Sequence, residues 1–194
     1  MLRLARSVPL VLLLAACTII PRGESPQDLF WTRIQALCGR AFPGRVTTTE
    51  PGDSQLAAAR LVLHVAHCDA DTVRIAFHAS LDASRVWVIA RTASGLSFTH
   101  IHRGPDGRVE ALSGYGGETL APGSARRQDF PANARTRALF RRQGIEEASA
   151  NIWSVQIVPG QLFDYAIDRP GRHLHIAFDL GRPVRPPGPA WGER

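Results

Sequence analysis

Two neighbouring stretches decide the fold: Thr72-Val73-Arg74-Ile75-Ala76-Phe77-His78-Ala79, then Ser84-Arg85-Val86-Trp87-Val88-Ile89-Ala90-Arg91-Thr92. Successive side chains of a strand point to opposite faces, so a half-buried strand alternates in polarity. Val73, Ile75 and Phe77 share one face of the first stretch; in the second, Trp87 and Ile89 oppose Val86, Val88 and Ala90. Both are rich in the β-branched and aromatic residues that fit a pleated surface.

Working outward, Arg60 to Cys68 is a further apolar, β-branched run. Leu96 to Arg103 follows and ends at Gly104-Pro105-Asp106-Gly107, a strong turn signal. Arg108 to Ser113 is expected to return as its hairpin partner. Residues 114–134 hold Gly116, Gly117, Pro122, Gly123 and Pro131 and read as a long loop, with a short basic helix over Thr136–Arg142. Asn151–Val158, Leu162–Asp168 and His173–Leu180 read as closing strands, separated by Pro159-Gly160 and Pro170-Gly171. One helix precedes them all. Ser25 can cap it, Pro26 suits its first position, and Asp28 favours its positive end. Leu29, Phe30, Ile34 and Leu37 recur at helical spacing before Gly39 stops it, giving a helix over 26–38. The fold class is therefore mainly β: about eight or nine antiparallel strands in a small barrel or two-sheet sandwich, with one N-terminal α-helix. A barrel with a ligand cavity at its mouth is the first choice.

The N-terminus has a different character. Arg3 and Arg6 precede an apolar run from Val8 to Ala16, far short of the roughly 20 residues that span a bilayer. Leu14-Ala15-Ala16-Cys17 is a lipobox, which predicts cleavage before Cys17 and a diacylglyceryl group on its thiol. The expected organisation is a signal peptide over 1–16, a tether over 17–24, one β-rich domain over 25–180 and a Pro-rich tail over 181–194. The address is the bacterial cell envelope, anchored to the membrane by lipid on Cys17. Thr18 rather than Asp after the cysteine favours the outer membrane in a Gram-negative host. Cys38 and Cys68 are the remaining thiols in an oxidising compartment, where pairing is expected. Closing that loop would contribute about 3–5 kcal/mol on a chain-entropy basis; two buried free thiols or a soft metal pair are the alternatives.

All 23 basic residues are Arg, and the net charge is +6. They are scattered, without basic runs or aromatic interleaving beyond Arg126-Arg127 and Arg141-Arg142, so nucleic acid is not an expected partner. A hydrophobic content of 44% marks a globular chain.

The histidines are the residues with chemistry to offer. His100 and His102 share a strand face with Phe98, near an end of the sheet, and Tyr115 follows close behind. These three are the candidate ligand-binding residues. Binding there through imidazole would weaken as pH falls through about 6.5. His173 and His175 also form an i, i+2 pair, but Leu174, Ile176 and Phe178 form the core stripe, so that pair is expected on the wet face. The sequence holds no His-Glu-x-x-His, no Gly-x-Ser-x-Gly elbow and no phosphate loop opening a helix. It specifies neither a catalytic residue nor a cofactor, and leaves open whether a metal is held. The reading is an envelope lipoprotein whose β-rich domain binds a small apolar ligand or an envelope protein without catalysis. The rival is a metal-assisted or acid–base envelope hydrolase using the His100/His102 face, and a purely structural role is a third possibility.

Several segments resemble a family of exported bacterial proteins, often lipoproteins, with no established activity. They include Phe30-Trp31, Leu37-Cys38-Gly39, Arg85-Val86-Trp87-Val88, His100 with His102, Tyr115-Gly116-Gly117-Glu118-Thr119 and Gln128-Asp129-Phe130-Pro131-Ala132. Asn151-Ile152-Trp153, Phe163-Asp164-Tyr165 and Pro189-Ala190-Trp191-Gly192 continue the likeness. The resemblance implies an exported single domain and supplies no reaction. Ile101 and Gly104-Pro105 interrupt the denser histidine and acid cluster of that family's pattern.

Overall fold

A computed structural model describes residues 23–48 and 50–193. The lipobox, with Cys17, lies outside the described residues. Ten strands form one antiparallel sheet: β1 (Ala41–Val46), β2 (Leu61–Cys68), β3 (Thr72–Ala79), β4 (Asp82–Thr92), β5 (Gly95–His102), β6 (Tyr115–Glu118), β7 (Arg127–Pro131), β8 (Ile152–Val158), β9 (Leu162–Arg169) and β10 (Arg172–Asp179). Their spatial order is β6-β5-β4-β3-β2-β1-β10-β9-β8-β7. Because β1 pairs with both β2 and β10, every strand lies beside its neighbours in sequence and the sheet is an up-and-down meander. Its free edges, β6 and β7, meet at an antiparallel bridge between Gly117 and Ala132, so the sheet curls almost closed into a barrel.

The alternation read from the sequence sets what faces inward. Val73, Ile75 and Phe77 of β3, Trp87 and Ile89 of β4, and Phe98 of β5 are all buried in one core, which also takes Val155, Phe163, Ile176 and Phe178 from the far wall. The helix α1 (Pro26–Gln35) closes one end of the barrel with Phe30, Trp31 and Ile34. Ser25 and Asp28 form a capping box at its start. Gln27 donates to Thr119 Oγ1 at 2.9 Å, and Arg91 of β4 pairs with Asp28. Just beyond the helix, Cys38 is disulfide-bonded to Cys68 at the end of β2, with Cα atoms 6.1 Å apart.

Three segments differ from the sequence expectation. Residues 108–113 do not form the hairpin partner of β5; they meet its end at the Arg103–Val109 bridge, through the Glu110 N–H, which donates to the His102 carbonyl, and through Ser113 Oγ, which accepts from the His102 N–H at 2.9 Å. The ladder with β5 belongs to β6, where His100 faces Tyr115 and Phe98 faces Gly117. The expected loop over 114–134 thus contains two strands, and β1 is a third strand that the pattern does not reveal. Gly116 and Gly117 explain the first difference: they do not turn the chain but let strands press together. A Cβ on Gly116 would lie 1.8 Å from the Phe98 carbonyl oxygen, and one on Gly117 1.9 Å from that of Pro131.

An exposed pair of strand edges would invite pairing with other chains. Here α3 (Ala134–Arg142) covers the seam. Thr136 Oγ1 accepts from the Gly116 N–H and donates to the Gly116 carbonyl, both at 2.7 Å, while the Asn133 N–H donates to that carbonyl at 3.2 Å. Backbone groups left without a ladder partner are satisfied from the helix start. The Pro-rich tail, read as irregular, packs on the outside of the barrel. Val184 bridges to Ala41, Ala190 is buried beside Ala76 and Val86, and Arg74 grips the Glu193 carboxylate with bonds of 3.0 and 2.7 Å.

Candidate functional site

The barrel end opposite α1 contains a cavity of about 410 Å³. A short helix, α2 (Ser54–Ala58), contributes Gln55 and Leu56 to its mouth. The segment carrying α2 is held to β10 by Arg172, which donates to both oxygens of buried Asp53 at 2.6 Å and also pairs with Glu50. These contacts push the Arg172 guanidinium still further above its already high range.

Strand parity builds the cavity walls. Arg85, two residues before Trp87 on β4, points inward because Trp87 does. The same rule carries His102 inward beside buried His100 on β5, and brings Tyr115 of β6 against them. Across the barrel, Tyr165 and Ile167 of β9 and Leu174 and Ile176 of β10 supply the other side. The wall from β4 to β6 is polar and aromatic. The wall from β9 and β10 is aliphatic apart from Tyr165.

The back of the cavity is an aromatic stack. Phe77 lies 5.0 Å from Trp87, and Trp87 4.1 Å from Tyr165, with interplanar angles of 11° and 13°. Tyr115 stacks on His100 at 4.8 Å and 8°. Each histidine bonds a tyrosine hydroxyl: His100 Nε2 to Tyr165 at 2.9 Å, and His102 Nε2 to Tyr115 at 3.1 Å. His100 Nδ1 has no hydrogen-bond partner among the described residues. Burial governs the protonation of the group. It pushes His100 down to about 3; burial, aided by the Arg85 charge, pushes His102 down to about 4. The Tyr115 hydroxyl is pushed up to about 12 by burial, and burial also raises Tyr165 well above its ordinary value. At neutral pH both imidazoles and both phenols are uncharged.

The cavity's two charges stand at its rim. Arg85 Nη1 donates to Asp82 Oδ2, and Asp82 Oδ1 accepts from the Ser84 N–H at 2.9 Å. Among the described residues Arg85 makes no other side-chain hydrogen bond, and its side chain is 33% exposed. Arg85, Asp82 and Tyr165 are the residues the sequence reading missed. The signal for Arg85 was present, as a charge on the same strand face as Trp87 and Ile89. Tyr165 likewise shares parity with Phe163.

The structure brings His100, His102 and Tyr115 together in one concave site. His173 and His175 are elsewhere, on the outer face, where His173 Nδ1 lies 2.8 Å from Asp168 and His175 Nδ1 3.2 Å from Asp164. Burial raises the Asp164 carboxyl, partly offset by His175. Among the described residues, no three His, Cys, Asp or Glu side chains are grouped so as to hold a metal ion. No protein-family model, curated protein or solved structure matches the chain.

Proposed function

We propose that this protein is a non-catalytic binding lipoprotein of the bacterial envelope, which takes a small, largely apolar ligand into the mouth of its barrel. The observation that carries the reading is the cavity itself. It has the volume and composition of small-ligand sites, mostly apolar with a few convergent polar groups. Ordinary barrel cores are filled by side chains. Here Ala59 and Ala79 leave space where larger residues would close the mouth. The polar lining is uncharged at neutral pH apart from the rim pair, which suits hydrogen bonding and stacking. The lipid on Cys17 would hold the barrel at the membrane.

N-phenyl-1-naphthylamine, a neutral apolar dye that brightens in dry surroundings, tests this. It should bind saturably, with one site per chain, and quench tryptophan emission through Trp87 at the back of the cavity. Ala79→Trp fills the mouth and should abolish that binding while leaving thermal stability within a few degrees of wild type. Absence of saturable binding to the wild-type protein, or equal binding to Ala79→Trp, refutes the reading.

A further inference from the structure

Among the described residues Arg85 is the only cationic side chain that lines the cavity, and most of its donors are uncommitted. A guanidinium carries five N–H donors, and two adjacent ones match the two oxygens of an oxyanion. Asp82 takes one bond, at Nη1. Asp82 itself is occupied from both sides, by the Ser84 N–H and by Arg85, so it offers a ligand little. The remaining polar lining, Gln55, His100, His102, Tyr115 and Tyr165, is neutral and cannot compete for an anion's charge. Facing Arg85 across the cavity is the aliphatic wall of Ile167, Leu174 and Ile176. A site with one cationic edge, an aromatic floor and an aliphatic far wall has a direction.

We propose that the ligand is amphipathic: a carboxylate or similar oxyanion docks on the free edge of Arg85, and an apolar body lies on Trp87 and against Ile167 and Leu174. This rests on the binding reading above and names the chemistry of what binds. The uncommitted Nε and Nη2 positions take the two oxygens. Anion binding restores a full charge partner to a guanidinium that now shares one carboxylate with a backbone N–H. A purely apolar ligand of the same size would use none of those donors, which at the partly exposed rim would stay with solvent.

Two dyes with one aromatic body separate this from the parent reading: neutral N-phenyl-1-naphthylamine and its sulfonated counterpart, 8-anilino-1-naphthalenesulfonate. Wild type should bind both. Arg85→Gln should weaken the sulfonate about tenfold or more and leave the neutral dye nearly unchanged. Asp82→Asn keeps an oxygen for the Ser84 N–H but removes the competing charge, so it should tighten the sulfonate several-fold. Opposite signs at adjacent residues cannot come from general loss of fold, and Ala79→Trp should exclude both dyes. If the neutral dye binds while the sulfonate ignores both charge changes, the head-group proposal is overturned and the cavity reading stands. Sulfonate binding retained in Ala79→Trp overturns it as well, by placing that dye outside the barrel. If neither dye binds the wild type, the parent reading fails first.

Discussion

His100 and His102 sit where an imidazole is hard to charge, and that has a consequence for stability with a definite sign. Burial holds their folded-state pKa values at about 3 and about 4, against about 6.5 for an unfolded histidine. Below pH 6.5 the unfolded chain therefore binds protons that the native state refuses. Their contribution is full above that pH and is lost as pH falls, until the folded values are reached. The slope is about 1.4 kcal/mol per pH unit for each histidine held neutral. His64 and His78, also pushed down by burial, act in the same direction. Toward the acid end of this range Glu50, held low, and Asp164, held high, act in opposite directions, so the histidine contribution is read from urea midpoints as the difference between wild type and a histidine variant. His102→Gln, which can still bond the Tyr115 hydroxyl, should flatten the acid limb by about one proton. An unchanged slope would mean that His102 titrates as if in water. The same burial corrects the pH expected for binding. Any ligand held through the His102 imidazole keeps its affinity through pH 6.5 and loses it near 4. At this scale the sequence disclosed that the two histidines and Phe98 share a face. It did not disclose which residues stand opposite, because Tyr165 reaches His100 only through the register and closure of the sheet.

β6 is short, and two of its four residues are glycines, yet it closes the barrel. Close approach on both sides is the reason, and it makes Gly117 the sharpest test of the closure. Alanine there would drive a Cβ to 1.9 Å from the Pro131 carbonyl oxygen, backbone that has no side-chain freedom to yield. Gly117→Ala should destabilise by about 1–3 kcal/mol or more, the range for overpacking a tight site. It should also remove amide hydrogen-exchange protection from Gly116 to Glu118 before any other strand. Protection there equal to wild type would show that the seam is loose. The strands that the sequence revealed, β2 to β5 and β8 to β10, are seven or more residues long, and most of their inward residues are large and apolar. The three it hid carry Pro43 and Gly44, Gly116 and Gly117, or Pro131. Those residues erase the alternation that marks a strand, and their service is to a neighbouring strand, which a local pattern cannot register. The α1 helix was legible because its cap, its proline and its apolar stripe are all local; it ends at Gln35, and turns carry the chain on to Gly39.

The whole molecule has a closed pole and an open one. At the closed pole are α1, the Cys38–Cys68 bond and the turns after β2 and β4; at the open pole are the cavity, α2 and the Arg172 clamp. The chain enters at the closed pole. Its capping residue Ser25 adjoins Asp28, which pairs with Arg91 at the far end of β4 from Arg85. With the lipid we propose on Cys17, eight residues before Ser25, we propose an orientation in which the plugged end faces the anchoring leaflet and the mouth is turned away from it. Ligand would then be exchanged with the aqueous side or with a docked partner rather than drawn from the membrane that holds the protein. Two measurements in sequence test this. Cys17→Ser should abolish incorporation of labelled palmitate; label that persists in the mutant removes the anchor from the argument. With the lipidated protein in vesicles, N-phenyl-1-naphthylamine bound in the cavity should be quenched by aqueous acrylamide and spared by bromine-labelled lipid. The vesicle lipid must be in low excess, so that dye partitioned into the bilayer can be subtracted with the Ala79→Trp variant. Strong quenching of the cavity-bound dye by the labelled lipid would turn the mouth toward the bilayer.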